Sequence, residues 1–469
     1  MPLIPIYTWN KSVINFELRN KKFSKQPWAQ GVILLACVVI AMLLANLPFT
    51  KHIYHNILHT SLAITVGSPD GGGFTFPAQM SVEKFINDIL MVIFFFTVGL
   101  EIKREAVFGE LSTPKKAIMP IIAAFGGVVA PALIYTLVNH GTAASSGWGI
   151  PTATDIAFAV GILSILGDKV PVSLKVFLTA LAIADDLIAI LVVALFYGGQ
   201  INFLLLGIAV VLILLILLMN RLGEKRPWFY FLPAIAVWVL FYYSGIHATM
   251  SGVVMAFLVP MTPRYTKEYY YHKRDYFRHK IAEYDEIEEA CGFPNGPQRH
   301  CLRQLSKTSK NCIGLSYRLE HTLSPWVNFL IMPVFALANA GVEIPDPSYF
   351  NVLQFTPGIG SVSMGVFLGL LLGKPIGITL ASFLAVKTRL GAMPDKASWK
   401  MLFAVACLGG IGFTMSIFVD TLSFGDQAPE VVTRLRDMGK VAVLLGSLCA
   451  GILGSVLISL VNKLEKKNL

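Results

Sequence analysis

The sequence predicts an all-α membrane protein with about twelve transmembrane helices, on the basis of its composition, its long apolar runs and its distribution of basic residues. Of the 469 residues, 55% are hydrophobic and 14% are charged, and the mean hydropathy is +0.65. A soluble domain needs more polar surface than this composition provides. Since one crossing takes roughly 17–25 apolar residues, we place the spans at 30–49, 85–100, 117–138, 149–167, 173–197, 202–220, 228–245, 246–261, 325–341, 358–386, 400–423 and 440–461.

Basic residues set the expected orientation. Lysines and arginines are concentrated in the N-terminal segment and in every second loop after it, which places both termini in the cytoplasm. The formal net charge of +10 then follows from topology and requires no nucleic-acid partner. The chain is expected to divide into a cytoplasmic N-terminal segment (1–29), spans 1–8 (30–261), a cytoplasmic polar insertion (262–324), spans 9–12 (325–461) and a cytoplasmic tail (462–469).

Two stretches outside the spans have recognisable local patterns. In the insertion, "KRDYFRHKIAEYDEIEEACG" (273–292) predicts an amphipathic helix and "FPNGPQRH" (293–300) a loop. On the opposite side of the membrane, "ITVGSPDGGGFTF" (64–76) predicts a small extracytoplasmic β-hairpin. The six cysteines lack the spacing of a disulfide framework or of a metal site, so we expect free thiols.

Two spans contain residues that interrupt helices. Span 4 (149–167) opens "GIPTATDIAFAVG" and span 11 (400–423) contains "CLGGIGFTMSIF", and each combines proline or glycine with serine or threonine. Glycine-rich membrane helices can be simple close-packing surfaces. The occurrence of both stretches, one in each half of a long chain, instead predicts two discontinuous helices that cross near the middle of the membrane.

Two adjacent aspartates lie at the centre of span 5 (173–197), in "ALAIADDLIAI" (180–190). A charged side chain at the bilayer centre costs about 2.5–3.5 kcal/mol on insertion scales, and one salt bridge would account for only one of the two. Asp185 and Asp186 point roughly 100° apart on a helix, so one can face a water-filled cavity and the other a neighbouring helix. Burial and mutual repulsion favour proton binding, while carboxylate oxygens also bind hard cations. A proton and a cation therefore compete for this pair.

Three further polar residues are expected to join the two aspartates. Asp155 and Thr154 lie in the interrupted part of span 4, where they add a carboxylate and a hydroxyl. Lys374 lies near the middle of span 10 (358–386), from which its side chain does not easily reach the membrane surface. One interpretation is a helix-end lysine before a proline kink. If Lys374 is buried instead, it needs a counter-ion, and Asp185 is the natural candidate.

The motifs around these residues resemble those of the NhaA-type sodium/proton antiporters. The similar stretches follow one another in order from about residue 30 to 460, apart from 262–315, and are "TATDIAFAVGILSILG", "LTALAIADDLIAILVVALFY", "SGIHATMSGVV", "PVFALANAGV", "LLLGKPIGI" and "GGIGFTMSIF". The resemblance implies inverted repeats with broken helices near the membrane midplane. It also implies alternating access by movement of a core (spans 3–5 and 10–12) against a scaffold.

The resemblance implies a role for each candidate site residue. Asp186 is similar to the family's principal ion- and proton-binding carboxylate, with Asp185 beside it in the same site. Lys374 is similar to the family's membrane-embedded lysine, which pairs with the position of Asp185. Asp155 and Thr154 would lie at the helix crossing, where the carboxylate balances the positive helix N-termini. The expected activity is electrogenic exchange of intracellular Na⁺ or Li⁺ for extracellular H⁺, without a cofactor, by a homodimer in the bacterial inner membrane.

A second set of residues would, by the same resemblance, form a pH-sensing entrance network: Glu101, Arg104, Glu105, His247 and Glu320. The first three lie at helical spacing in "FTVGLEIKRE". The alternative is that these residues are charged helix ends that obey the positive-inside rule, together with a histidine satisfied between small residues. The long insertion before Glu320 leaves open whether pH gating through this residue applies to this chain.

Two other functions agree with parts of the sequence. An intramembrane aspartyl protease also buries aspartates, and "APALIY" (130–135) contains a Pro-Ala-Leu tripeptide, but the sequence lacks the Gly-x-Gly-Asp setting of such an enzyme. A sodium-coupled organic solute symporter of similar architecture would not need a mid-membrane lysine opposite two aspartates. Asp88, in the apolar "INDIL", has no assigned role.

Overall fold

The computed structural model describes residues 27–67, 73–287, 296–344, 347–352, 355, 360–395, 397–424 and 429–467. The predictions for residues 1–26 and for the turn at 68–72 lie outside these residues. In chain order, the elements are α1 (Pro27–Asn46), α2 (Pro48–His59), β1 (Ser61–Gly67), β2 (Gly73–Ser81), α3 (Val82–Phe108), α4 (Pro114–Val138), a 3₁₀ segment (Ala143–Thr152), α5 (Ile156–Leu166), a 3₁₀ turn (Gly167–Lys169), α6 (Val172–Phe196), α7 (Phe203–Arg221), α8 (Trp228–Ser244), α9 (Thr249–Leu258), α10 (Lys267–Ile287), α11 (Gly296–Asn311), α12 (Leu315–Asn339), a 3₁₀ turn (Pro347–Phe350), α13 (Val362–Lys387), α14 (Trp399–Leu408), α15 (Phe413–Ser423) and α16 (Pro429–Lys467).

Half of the sixteen helices named above have the length and composition of membrane spans. Eight of them, α1, α3, α4, α6, α7, α12, α13 and α16, contain an apolar stretch long enough to cross a bilayer. Two bent pairs of helical segments each supply one more, which gives up to ten spans in the described part of the chain. The helices α8 and α9 are apolar but have only 17 and 10 residues. The all-α, multi-spanning class is therefore confirmed, while twelve spans stays a prediction.

The two bent pairs are the interrupted helices expected from the sequence. The 3₁₀ segment and α5 meet at 41°, and α14 and α15 meet at 53°. At the first break, Ala153 and Asp155 have extended backbone, with ψ of 149° and 104°. At the second break, three glycines lie between residues 409 and 412, and Phe413 has a positive φ of 21°. The prediction of two discontinuous helices is confirmed.

Three of the long helices contain a π turn, at Ile86–Leu90, Val327–Ile331 and Gly369–Gly373. The third π turn ends directly before Lys374 and Pro375. A proline has no N–H to donate to the carbonyl four residues earlier, so the hydrogen-bond ladder changes register at this point. The π turn therefore sets the direction in which the side chain of Lys374 points from α13.

The chain forms two compact units. Unit 1 comprises Met1–Met91, Glu105–Gly198 and Asn328–Leu469, and unit 2 comprises Val92–Arg104 and Gly199–Val327. In unit 2, buried side chains of α7, α8 and α9 form an apolar core that includes Ile216, Val237 and Met255. Both interrupted spans and α6 belong to unit 1.

Within unit 1, α4 and α13 cross with their backbones in close contact. A Cβ atom on Gly126 would overlap the carbonyl oxygen of Gly377, and a Cβ atom on Gly377 would overlap that of Gly126. Membrane helices approach each other this closely only where small residues meet, because larger side chains would hold the two backbones apart. This contact fixes α13, and with it Lys374, against α4.

Local structure differs from the sequence prediction in two places. The loop predicted at 293–300 is wrong from residue 296 onward, because α11 begins at Gly296 and Pro297 suits the first turn of a helix. The second difference is α2, which was not predicted: its exposed stripe of Phe49, Ile53 and Ile57 alternates with polar residues and so lowers the hydropathy.

The strands predicted around the glycine-rich turn are present. β1 and β2 pair antiparallel, with Thr65 opposite Thr75 and an irregularity between Leu62 and Ile64. The position of this pair on the extracytoplasmic side stays a prediction.

Candidate ion-binding site

Asp185 and Lys374 form an ion pair in the interior of unit 1. Lys374 Nζ on α13 lies 2.6 Å from Asp185 Oδ2 on α6, and both side chains are fully buried, with 0% exposure. The ammonium group also donates to Thr154 Oγ1 at 3.0 Å. The Thr154 hydroxyl in turn donates to the carbonyl oxygen of Gly409 at 2.7 Å. Lys374 is therefore not a helix-end lysine, and it has the counter-ion that its burial requires.

The two adjacent aspartates are both buried within α6, an uninterrupted helix of 25 residues. Asp186 is 2% exposed and points roughly 100° away from Asp185 around the helix axis. Among the described residues, Asp185 Oδ1 has no hydrogen-bond partner, whereas Oδ2 is paired with Lys374. Asp185 is thus bound to the lysine through one oxygen, and its carboxyl group also lies beside Thr154.

Asp155 joins the two interrupted spans to each other. Its carboxylate caps α5 by accepting from the backbone N–H of Phe158 at 3.3 Å, and it accepts from the backbone N–H of Thr414 at 3.2 Å. The hydroxyl of Thr414 donates to the same carboxylate, and the Asp155 backbone N–H donates to the carbonyl oxygen of Ile411 at 2.7 Å. One negative charge therefore lies at the positive N-terminal ends of both α5 and α15.

The chemistry of this site suits small, hard cations and protons. Three buried carboxyl groups, those of Asp155, Asp185 and Asp186, lie in this site, and the buried ammonium group of Lys374 is ion-paired with Asp185. Carboxylate, hydroxyl and carbonyl oxygens are the ligands that Na⁺-like cations prefer. Within the described part of the chain, no three His, Cys, Asp or Glu side chains are grouped so as to hold a metal ion.

The structure brings part of the predicted entrance set together in unit 2. Arg104 forms an ion pair with Glu320, which is 6% exposed, and Arg104 Nη2 lies 3.8 Å from Glu101 Oε1. Glu105 instead accepts a hydrogen bond from the backbone N–H of Glu110, at 3.2 Å.

His247 and Arg104 lie at opposite ends of α9. Lys103, the neighbour of Arg104, donates to the carbonyl oxygen of Phe257 at the C-terminal end of α9, at 2.7 Å. His247 precedes the N-terminal end of α9, which has ten residues and is therefore about 15 Å long. The structure thus gathers Glu101, Arg104 and Glu320, and it places His247 at the other end of this helix.

Two buried polar residues of unit 1 were missed by the sequence analysis. Thr414 binds Asp155, as described above, and "GFTMS" alone gives no signal for this contact because it depends on where the breaks cross. Asp420 on α15 is completely buried. Its signal is an aspartate within the apolar stretch "SIFVDTLSF", which is the same kind of signal that singled out Asp185.

The fold and this site define a polytopic membrane transporter for small cations: two interrupted helices joined at one carboxylate, beside a buried aspartate pair and a buried lysine. The chain belongs to the family described as Na⁺/H⁺ antiporter 1, whose model matches residues 21–458. The resemblance to NhaA-type antiporters is therefore confirmed. Because members of this family are transporters, the protein is not an enzyme, and the aspartyl protease interpretation is wrong.

Similar proteins from different bacteria match almost the whole chain. The chain is 40% identical over 455 residues to the Na⁺/H⁺ antiporter NhaA of Wolinella succinogenes, covering 97% of this chain and 94% of that protein. It is 38% identical to the Na⁺/H⁺ antiporter NhaA 1 of Clostridium beijerinckii, covering 96% and 98%. It is 40% identical to the Na⁺/H⁺ antiporter NhaA of Pelagibacter ubique, covering 92% and 95%.

Proposed function

We propose that this protein exchanges intracellular Na⁺ or Li⁺ for extracellular H⁺ by alternating access, with Asp185 and Asp186 as the shared binding site. The observation that carries this proposal is the buried ion pair between Lys374 and Asp185, with Asp186 next to it and Thr154 on the same ammonium group. All of these residues belong to unit 1, so the binding site can move as part of a single compact unit.

Competition for Asp185 couples the two ions. A cation bound between the aspartates would lie close to the ammonium group of Lys374. Two unit charges about 4 Å apart repel each other by about 4 kcal/mol at an effective dielectric constant of about 20. Binding of Na⁺ therefore requires that Lys374 leave Asp185 or lose its proton, and the return of H⁺ restores the ion pair. Asp186 is the principal ligand in this scheme because it lies beside the ion pair of Lys374 and Asp185 and does not take part in that pair.

The net charge moved in each cycle follows from the same site. More than one titrating group, including Asp185, Asp186 and Lys374, serves one monovalent cation. If more than one proton enters for each Na⁺ that leaves, the exchange is electrogenic and responds to the membrane potential. Na⁺, Li⁺ and H⁺ are the transported ions in this proposal, and the protein needs no cofactor.

Asp155 and Thr154 hold the binding site in place. Asp155 compensates the positive ends of α5 and α15, and it is hydrogen-bonded to Thr414 across the crossing. Thr154 connects Lys374 to the carbonyl oxygen of Gly409 in the second break. A change in the position of Lys374 is therefore transmitted directly to the two interrupted spans.

Regulation, assembly and location complete the proposal. The ion-paired residues Glu101, Arg104 and Glu320 form part of a pH-responsive entrance, to which we also assign Glu105 and His247 on the basis of the resemblance. If these residues are instead ordinary charged helix ends, their substitution should leave the dependence of the transport rate on pH unchanged.

We place the protein in the bacterial inner membrane as a homodimer with both termini in the cytoplasm.

Proteoliposomes loaded with Na⁺ test the proposed exchange. In the wild-type protein, H⁺ should enter as Na⁺ leaves, so the lumen should acidify, and Asp186→Asn should abolish this flux. Asp185→Asn should cripple it, since it removes the partner of Lys374. Asp168→Asn, the same change at an exposed residue, is the matched control and should leave the rate unchanged. Normal Na⁺-dependent H⁺ flux in Asp186→Asn would refute the assignment, and a Na⁺ flux that depends on an added organic solute instead of on H⁺ would favour the symporter.

A further inference from the structure

Asp420 is a buried acid for which the structure provides no hydrogen bond. Its side chain has 0% exposure, and among the described residues neither of its carboxyl oxygens has a hydrogen-bond partner. α16 packs directly on it, since a Cβ atom added to Gly439 would overlap Asp420 Oδ1. An ionised carboxylate in such a place loses its hydration and gains no hydrogen bond in return, which disfavours the charged form.

The hydroxyl groups around Asp420 are already committed to other acceptors. Tyr135 and Tyr197, which interact electrostatically with Asp420, each donate their hydroxyl proton to a backbone carbonyl oxygen, at 2.8 and 2.9 Å. Ser423, one turn further along α15, donates to a backbone carbonyl oxygen at 2.7 Å. Each hydroxyl has only one proton to donate, so none of the three can also stabilise the carboxylate.

The charged groups that face Asp420 are contributed by α16. Lys440 and Arg436 act on it as positive charges, and Asp437 acts as a negative one. Lys440 is itself almost buried, at 9% exposure. The two positive side chains would repel a metal cation, whereas a proton removes the charge of the carboxyl group and provides the O–H donor that the site lacks. The chemistry of the site therefore favours a proton as its ligand.

Asp420 is separate from the proposed transport site. It follows Thr414 by six residues on α15, which corresponds to about 9 Å along the helix axis. It packs against Gly439 of α16, whereas Asp185 and Asp186 lie on α6.

We propose that Asp420 is a second proton-binding site, whose carboxyl group alternates between a protonated form and an ionised form stabilised by Lys440 and Arg436 of α16. The proton comes from water and returns to water, and no other bond is made or broken. Protonation would release the electrostatic attraction between α15, one half of an interrupted span, and α16. This site binds a proton whether or not Na⁺ is present, and the inference does not depend on the proposed exchange.

Infrared difference spectroscopy of the full-length protein between low and high pH tests this inference. The carbonyl stretch of a protonated carboxylic acid is observed directly, so the readout does not require transport. We expect Asp420→Asn to remove one pH-dependent carboxylic acid band that wild type shows both with and without Na⁺. Asp168→Asn, the same change at an exposed acid, is the matched control and should retain that band. Retention of every pH-dependent band in Asp420→Asn would overturn the inference, as would loss of the band on addition of Na⁺.

Two further variants separate proton binding from misfolding. If Asp420→Asn does not fold, Asp420→Glu keeps a carboxyl group at this position, and its band should move in frequency, while an unmoved band would overturn the inference. Lys440→Met removes one of the two stabilising cations and should shift the midpoint of the Asp420 band by about 1–3 pH units. An unchanged midpoint would overturn the inference that α16 stabilises the ionised form.

Discussion

Replacement of Lys374 by methionine removes the positive partner of a fully buried carboxylate while approximately preserving side-chain volume. In the structure, Lys374 Nζ donates to Asp185 at 2.6 Å and to Thr154 at 3.0 Å, and neither Lys374 nor Asp185 is exposed. Removal of one partner of such a pair typically costs about 3–5 kcal/mol, because the remaining charge stays buried without compensation. We therefore expect Lys374→Met to lower the free energy of unfolding by about 3–5 kcal/mol.

A double-mutant cycle separates the electrostatic pairing from the loss of packing. Asp185→Asn leaves the ammonium group uncompensated and should destabilise by a similar amount. In the double variant both charges are gone, and a buried pair replaced on both sides is often close to neutral. The double variant should therefore be more stable than the sum of the two single effects predicts, with a coupling energy of up to about 3 kcal/mol.

Reversible denaturant unfolding in detergent micelles, followed by circular dichroism, measures all four proteins of the cycle. Lys400→Met, which changes an exposed lysine of α14 in the same way, is the matched control and should stay within about 0.5 kcal/mol of wild type. Strictly additive effects of the two single substitutions would refute the reasoning, because they would show that Lys374 and Asp185 do not stabilise each other.

Three other substitutions test separate parts of the structure. Thr414→Val removes the hydroxyl that binds Asp155 and should cost about 1–3 kcal/mol in the same unfolding assay; an unchanged stability would contradict the hydrogen bond. Gly377→Ala places a methyl group against the backbone of α4 and should destabilise by about 1–3 kcal/mol, whereas Gly207→Ala, with open space around it, should not destabilise. Lys103→Met removes the donor at the C-terminal carbonyls of α9 and should cost about 1–3 kcal/mol; equal protection of the α9 amides from hydrogen exchange in both proteins would refute this role.

The parts of the structure that could be predicted from the sequence are those for which any alternative in the membrane would cost a large free energy. A run of apolar residues long enough to cross a bilayer has few alternatives, so most of the long helices were identified. Both breaks were predicted because glycine and proline weaken a helix where the rest of the span is strongest. The partner of Lys374 was predicted from the same physics, since a buried ammonium group requires a negative charge nearby.

The parts that the sequence did not predict depend on long-range contacts or on weak amphipathic patterns. α2 and the beginning of α11 contain too many polar residues to stand out in hydropathy. Thr414 binds Asp155 only because two breaks 259 residues apart in sequence meet in space. Asp420 obeys the rule that singled out Asp185, but it lies three residues before the predicted end of span 11, where an aspartate could have faced the membrane surface instead of the protein interior.

The π turn at Gly369–Gly373 makes the geometry of the site depend on chain length as well as on residue type. A π turn holds about one residue more than an α-helical turn, and each residue turns a helix by about 100°. Regular α-helical winding of the same number of residues would turn Lys374 about 100° around α13, away from α6. Deletion of one residue from this turn would instead convert it to an ordinary α-helical turn and leave Lys374 on the same face of α13. In homologous or engineered chains, a one-residue gap in this turn is thus compatible with contact between α13 and the aspartates, whereas loss of the wide turn without a gap would disconnect them.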